Sequence, residues 1–106
     1  MNFAETLQTL PAVDHLASLQ LRDAAGELVA TIENKPGQAG SLKVYHALAQ
    51  RHGGAITPAA AREGLALYAE HTADALAHPG KHPNIDRLIT WAEGQVVFSV
   101  ELRSVG

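Results

Sequence analysis

The segment Leu16–Glu33, LASLQLRDAAGELVATIE, decides the fold of this chain. Apolar residues occupy every second position on both sides of a central turn, which is the side-chain period of a β-strand with one buried face. They are Ala17, Leu19 and Leu21 before the turn and Leu28, Ala30 and Ile32 after it. The turn itself, Asp23–Gly26, ends in a glycine that tolerates positive φ. The pattern predicts an antiparallel hairpin with one buried face.

Outside the hairpin, the spacing of apolar residues predicts about four helices. Each has a capping residue or a proline near its start and a glycine or proline at its end. In chain order the predicted helices begin near Asn2, Ser41, Pro58 and Asn84, and they end near Pro11, Gly53, His78 and Gly94. The third is expected to be the longest and to turn Leu65, Tyr68 and Leu76 towards the core.

Alternation resumes at residues 96–103, where Phe98, Val100 and Leu102 predict a last strand. A chain of 106 residues has the usual length of one domain. We therefore expect a single α+β domain over residues 1–106, with a small antiparallel sheet of three strands. The hairpin and the C-terminal strand would form this sheet, and the helices would pack on one of its faces.

The composition argues against several classes of protein. The formal net charge is −3 and no cluster of Lys and Arg offsets it, so nothing attracts nucleic acid or an anionic membrane. The absence of cysteine excludes disulfides, thiol catalysis and cysteine metal clusters. No segment has the length of a membrane-spanning helix, and no signal peptide is evident. We expect a cytoplasmic protein that binds neither nucleic acid nor membranes.

Three of the six histidines lie within residues 68–88, where they predict a metal site. The candidate ligands are His71, Asp74, His78 and His82. On a continuous helix the first three share one side, and a Pro-Gly turn could fold His82 back over the helix end. Imidazoles and a carboxylate suit a divalent metal such as zinc, with Glu70 as a possible general base. The alternative is an ordinary solvated helix face, and no H-E-x-x-H pairing is present.

The loop before the second helix predicts a site for an anion. The candidate ligand-binding residues are Lys35, Gly37, Gly40, Ser41 and Lys43. The glycines let the backbone approach a ligand closely, and the helix N-terminus at Ser41 presents free N–H groups. This is not a Walker loop, because a serine and not a lysine follows the second glycine. A flexible turn followed by a helix cap is the alternative interpretation.

Other polar residues give no catalytic pattern. The Gly-x-Ser-x-Gly sequence that places a nucleophilic serine on a strained turn is absent, so serine catalysis is not predicted. His46 lies on a partly apolar helix face, and we expect it to be a hydrogen-bonded residue at the edge of the core. Neither feature indicates an enzyme.

Four motifs resemble those of a family of small bacterial proteins that is known only as a domain of unknown function. They are Glu33–Gly37, Gly40–Tyr45, Leu67–Thr72 and Pro79–Leu88, and the similarity covers nearly the whole chain. The resemblance implies a bacterial cytosolic origin and a stand-alone domain. It implies no activity and no functional residues.

Three hypotheses of function follow. The first is a non-catalytic binding module for a small anionic ligand or a partner protein, which we expect to form a homodimer in which Val29 and Val97 extend or stack the sheets. The second is a metal-binding protein or metal-dependent hydrolase, and the third is a structural subunit of a larger complex. Two ordinary exposed valines are the alternative to the dimer. The sequence leaves open whether the protein is an enzyme.

Overall fold

The computed structural model describes residues 1–106 and contains five helices and four strands. The helices are α1 (Phe3–Thr9), α2 (Ala39–Arg51), α3 (Pro58–Leu67), α4 (Glu70–Ala77) and α5 (Pro83–Glu93). The strands are β1 (Leu16–Arg22), β2 (Leu28–Glu33), β3 (Ala55–Ile56) and β4 (Phe98–Ser104). The α+β class is confirmed. None of the helices is long and apolar enough to cross a membrane.

The sheet is antiparallel throughout, with the strand order β2-β1-β4-β3. The predicted hairpin and C-terminal strand are therefore confirmed, and they pair through β1. The prediction of three strands was wrong by one, because β3 pairs Ile56 with Phe98 at the end of β4. A strand of two residues is too short to show the alternation by which strands are recognised in a sequence.

The apolar face of the sheet follows the predicted alternation at its centre, but not at the start of β1, nor at Leu28 of β2 and Leu102 of β4, which are 49% and 43% exposed. Leu19 and Leu21 are completely buried, and Ile32 faces Leu19 from β2. Ala17 was expected on this face, but it is exposed while Ser18 is buried. The register against β4 shifts between Leu16 and Ser18, and such a bulge changes which side chains point inwards.

The helices cover the apolar face of the sheet. Helix α2 contributes the completely buried side chains of Leu42, Tyr45 and Leu48, and burial of each leucine stabilises the fold by about 1.5–3 kcal/mol. Helix α3 approaches α2 and α5 closely at Gly64. A Cβ atom at this position would lie 2.8 Å from Leu48 Cδ1 and 2.7 Å from a leucine of α5, so the close approach requires glycine.

The predicted long helix from Pro58 to His78 is wrong, because the chain breaks between α3 and α4. Ala69 has a φ of 53° and a ψ of −121°, a conformation that costs a non-glycine residue about 1–3 kcal/mol. The Tyr68 side chain is 2% exposed, and its hydroxyl donates to Ser41 Oγ at 2.7 Å. Leu76 is 61% exposed, contrary to expectation, because α4 does not continue the apolar stripe of α3.

His46 is the one buried histidine, at 3% exposure. Its Nδ1 atom has no hydrogen-bond partner, so the expectation that His46 is hydrogen-bonded is wrong for this nitrogen. Burial lowers the pKa of His46, and the His15 ring, whose centroid lies 5.8 Å away, lowers it further. The folded protein therefore favours the neutral imidazole.

This burial predicts a loss of stability in mild acid. Below about pH 6.5 the unfolded chain binds a proton at His46 more readily than the folded protein does, so the stabilising contribution of the neutral ring is complete above this pH and is lost below it. The free energy of unfolding from urea titrations should be lower at pH 5.5 than at pH 7.5. His46→Leu should reduce this difference, whereas His78→Gln, at an exposed histidine, should leave it unchanged. An equal difference in all three proteins would contradict the prediction.

Candidate functional site

A cleft of about 290 Å³ lies where the N-termini of α2 and α5 approach the start of α4. The turn before α2 and its first residues contribute Gly37, Gly40 and Ser41. His71 of α4 and the connection from α4 to α5, with Lys81 and His82, form the opposite side. The loop before α2 and the polar residues of α4 and of the α4–α5 connection therefore share one cleft.

Backbone donors of two helices are free at this cleft. The N–H groups of Gly40 and Ser41 donate to no other group of the protein, and neither does the N–H group of Asn84 in α5. Such groups in the first turn of a helix point towards its N-terminus and carry partial positive charge. The cleft thus collects hydrogen-bond donors from two helix N-termini.

Two hydroxyl groups connect the cleft to the break between α3 and α4. The Tyr68 hydroxyl donates to Ser41 Oγ at 2.7 Å, which leaves the Ser41 hydroxyl hydrogen free to donate to a ligand. Burial raises the pKa of Tyr68, so its hydroxyl remains protonated and acts as the donor. The break in the helix therefore orients a donor of the cleft.

Asp74 lies behind the cleft and holds two of its side chains. Asp74 Oδ2 lies 2.6 Å from His82 Nε2 and 3.0 Å from Lys81 Nζ. The hydrogen bond from His82 and then that from Lys81 lower the pKa of Asp74 to about 2. The carboxylate is therefore ionised at neutral pH and can only accept, so His82 Nε2 carries a hydrogen and its Nδ1 is directed elsewhere.

The N-terminal helix forms another wall of the cleft through Phe3. The Phe3 ring stacks on Tyr68 with a centroid distance of 5.3 Å and meets the His71 ring edge-on at 4.9 Å. The Phe3 N–H donates to Glu70 Oε1 at 2.7 Å. Backbone hydrogen bonds from Glu70 itself and from Phe3 lower the pKa of Glu70. Glu70 thus holds the start of α1 in place, and its carboxylate already accepts a hydrogen bond from the protein.

The structure divides the predicted anion-binding residues. Gly37, Gly40 and Ser41 line the cleft, but the two predicted lysines do not. Lys35 Nζ pairs with Glu33 Oε2 at 2.6 Å, and Lys43 lines a separate depression beside α1. The two lysines were predicted because they lie near the loop in the sequence. Lys81, which was not among the predicted ligand-binding residues, lines the cleft instead.

The predicted metal ligands are also divided. His71 and His82 line the cleft, with ring centroids 5.8 Å apart, and Asp74 contacts His82 from behind. The His78 side chain is 62% exposed, with Nε2 3.9 Å from Asp74 Oδ1. No group of three or more His, Cys, Asp or Glu residues has a geometry that could hold a metal ion. The zinc site stays a prediction.

The lowered pKa of Asp74 predicts that the protein loses stability between about pH 4 and pH 2. Because its pKa is lowered from 3.8 to about 2, its contribution to stability is present above about pH 4 and is lost as the pH falls towards 2. Asp74→Asn should therefore reduce the dependence of the unfolding free energy on pH between 4 and 2, as measured by urea titration. Asp14→Asn, at an exposed carboxylate, is the matched control and should retain the wild-type slope. A wild-type slope in Asp74→Asn would show that the three-residue contact does not form.

Comparisons with known proteins identify the family. No curated protein and no solved structure matches the chain. One family model, described as an uncharacterized protein conserved in bacteria (DUF2322), matches residues 3–102. This range includes every residue of the cleft, and it confirms the resemblance of the four motifs. The chain belongs to the DUF2322 family of bacterial proteins.

Proposed function

We propose that the protein is a binding module that takes a small anion in the cleft between α2, α4 and α5. The observation that supports this proposal is the meeting of two helix N-termini, with free N–H groups at Gly40, Ser41 and Asn84, beside the ammonium group of Lys81. Partial positive charges and donors from helix ends bind oxyanions such as phosphate and carboxylate. The ammonium group of Lys81, which is paired with Asp74, lies on the same side.

The size and walls of the cleft favour a small ligand. Its volume of about 290 Å³ is at the lower limit of ligand pockets, which measure roughly 300–1,000 Å³. Phe3 and Ile85 supply apolar surface next to the donors. A phosphate or carboxylate group on a small organic body fits this combination, because the oxygens face the donors and the body contacts the apolar walls.

We favour binding over catalysis because the reactive groups are paired with one another. Asp74 accepts from His82 and Lys81, and Ser41 Oγ accepts from Tyr68. These contacts fix the side chains in place, which lowers the entropic cost of binding a ligand. A site whose side chains are held in this way is preorganised for binding an anion.

Zinc binding is the alternative, and its supporting observation is the nearness of the His71 and His82 rings. The position of Lys81 argues against it. Its ammonium group lies 3.0 Å from Asp74 Oδ2, where a metal bound to this carboxylate would need to replace it. Elemental analysis of untagged protein and of His71→Ala distinguishes the two functions, since only a metal protein contains stoichiometric zinc that the substitution removes.

A partner protein, or a second copy of this chain, is the remaining proposal. Val29 and Val97 are 44% and 48% exposed, as expected for residues outside the core. Their exposure supports a homodimer or a place in a larger complex only weakly, because single exposed apolar residues are common on protein surfaces. Sedimentation analysis tests this proposal independently of the cleft.

Anion binding predicts a thermal shift that depends on Lys81. Phosphate at about 100 times its Kd should stabilise the folded protein by about 2.7 kcal/mol and raise the Tm by roughly 10–20 °C. Lys81→Ala removes a charge-assisted contact worth about 1.5–3 kcal/mol, so its Kd for phosphate should rise at least about tenfold. Differential scanning fluorimetry with phosphate, acetate and a phosphomonoester measures both effects.

Lys35→Ala is the matched control, since Lys35 is another exposed lysine in an ion pair but lies outside the cleft. It should retain the wild-type shift. Sodium chloride at the same ionic strength controls for screening. If no anion raises the Tm above this salt control, or if Lys35→Ala and Lys81→Ala lose the shift equally, the proposed function is wrong.

A further inference from the structure

We propose that Ala69 is the hinge of a two-state element that opens and closes the cleft. In the closed form, which the structure represents, the chain breaks at Ala69 and α4 lies across the starts of α2 and α5. In the open form α3 continues into α4 as one straight helix. This proposal concerns the regulation of the site, and its ligand rests on the proposed anion-binding function.

The local sequence favours the open form. Residues 66–72, ALYAEHT, contain neither glycine nor proline, and alanine has the highest helix propensity of all residues. The periodicity of the chain predicts an uninterrupted helix through this segment. The break instead places Ala69 at a φ of 53°, the only positive value at a non-glycine residue in this protein. Tertiary contacts must therefore impose the break.

Polar contacts, rather than apolar burial, hold α4 in the closed position. Only Ala75 of α4 is buried. Thr72 Oγ1 donates to the Leu65 carbonyl at 2.6 Å across the break, and Glu70 accepts from the Phe3 N–H. Asp74 forms the contact with the α5 side of the cleft. Segments with few buried apolar contacts are those that open locally in folded proteins.

The far end of α4 permits the movement. Ala77 ends α4 and Pro83 begins α5, and the connection contains Gly80 with a φ of 92°. Because the connection contains a glycine and lies outside the helices, it can change its direction when α4 moves.

Opening would dismantle the cleft. His71 moves with α4, while Lys81 and His82 stay near the start of α5, so the side chains that line the cleft separate. A ligand that contacts both sides binds only the closed form and shifts the equilibrium towards it. Tyr68 is the residue before the hinge, and its hydroxyl donates to Ser41. This hydrogen bond connects the conformation of the hinge to the donors of α2.

Two substitutions at the hinge test this proposal in the absence of ligand. Ala69→Gly suits the positive φ and disfavours the straight helix, so the Tm should rise by about 4 °C or more. Ala73→Gly, at an exposed alanine inside α4, is the matched control and should lower the Tm. Ala69→Val should favour the open form, because a β-branched residue strongly resists positive φ but is tolerated in a helix.

Electron-spin distance measurements detect the two forms, and the absence of cysteine lets labels be placed at will. Labels on Ala59→Cys and Ala77→Cys, both at exposed positions, would be about 27 Å apart along a straight helix and closer in the broken form. The long distance should dominate in Ala69→Val and be absent from Ala69→Gly. If Ala69→Val shows only the short distance or unfolds, or if Ala69→Gly lowers the Tm as Ala73→Gly does, the hinge is refuted.

Inorganic phosphate then tests the link between the hinge and the cleft. Added to labelled Ala69→Val, it should convert the long distance into the short one. If phosphate raises the Tm of the wild-type protein but leaves this distance distribution unchanged, the hinge does not regulate the cleft and the proposal is overturned. If phosphate raises no Tm, the anion-binding function fails, and the ligand-free measurements alone decide whether the hinge exists.

Discussion

The burial of Tyr68 is the constraint on which the rest of the cleft depends. Its ring is almost completely enclosed, and its hydroxyl reaches Ser41 at the start of α2. A straight helix through Ala69 would carry α4 away from α5, whereas the bend at this residue brings His71 to the cleft. The cost of a strained alanine is thus offset by contacts that no local sequence pattern describes.

Two carboxylates on α4 also help to fix the position of this helix beside the cleft. Glu70 binds the backbone of α1 at Phe3, and Asp74 binds Lys81 and His82 ahead of α5. A short helix with one buried residue gains little from the hydrophobic effect, so charge-assisted hydrogen bonds must position it. Because these contacts are partly exposed, each contributes modestly, and their value lies in orientation rather than in stability.

The sequence predicted the hairpin, the C-terminal strand and most helix boundaries, because side-chain period and capping act over a few residues. At two of the predicted helix starts the structure contains such caps, a capping box of Asn2 with Glu5 and a side-chain cap at Thr57. The break at Ala69 and the bulge near Ala17 were missed for one reason. Both are imposed by distant parts of the chain, and local patterns at these positions favour the regular structure.

The same distinction explains the candidate site. Gly40 and Ser41, which line the cleft, were predicted because free N–H groups follow from the start of a helix, which is a local property. Lys81 was not among the predicted anion-binding residues, because the approach of the α4–α5 connection to the start of α2 depends on tertiary contacts and not on a local pattern. A cleft assembled in this way has one side fixed by α2 and the other fixed only through the hinge. Because polar contacts rather than apolar burial hold α4, the α4 side of the cleft is the side that a bound ligand can most readily stabilise.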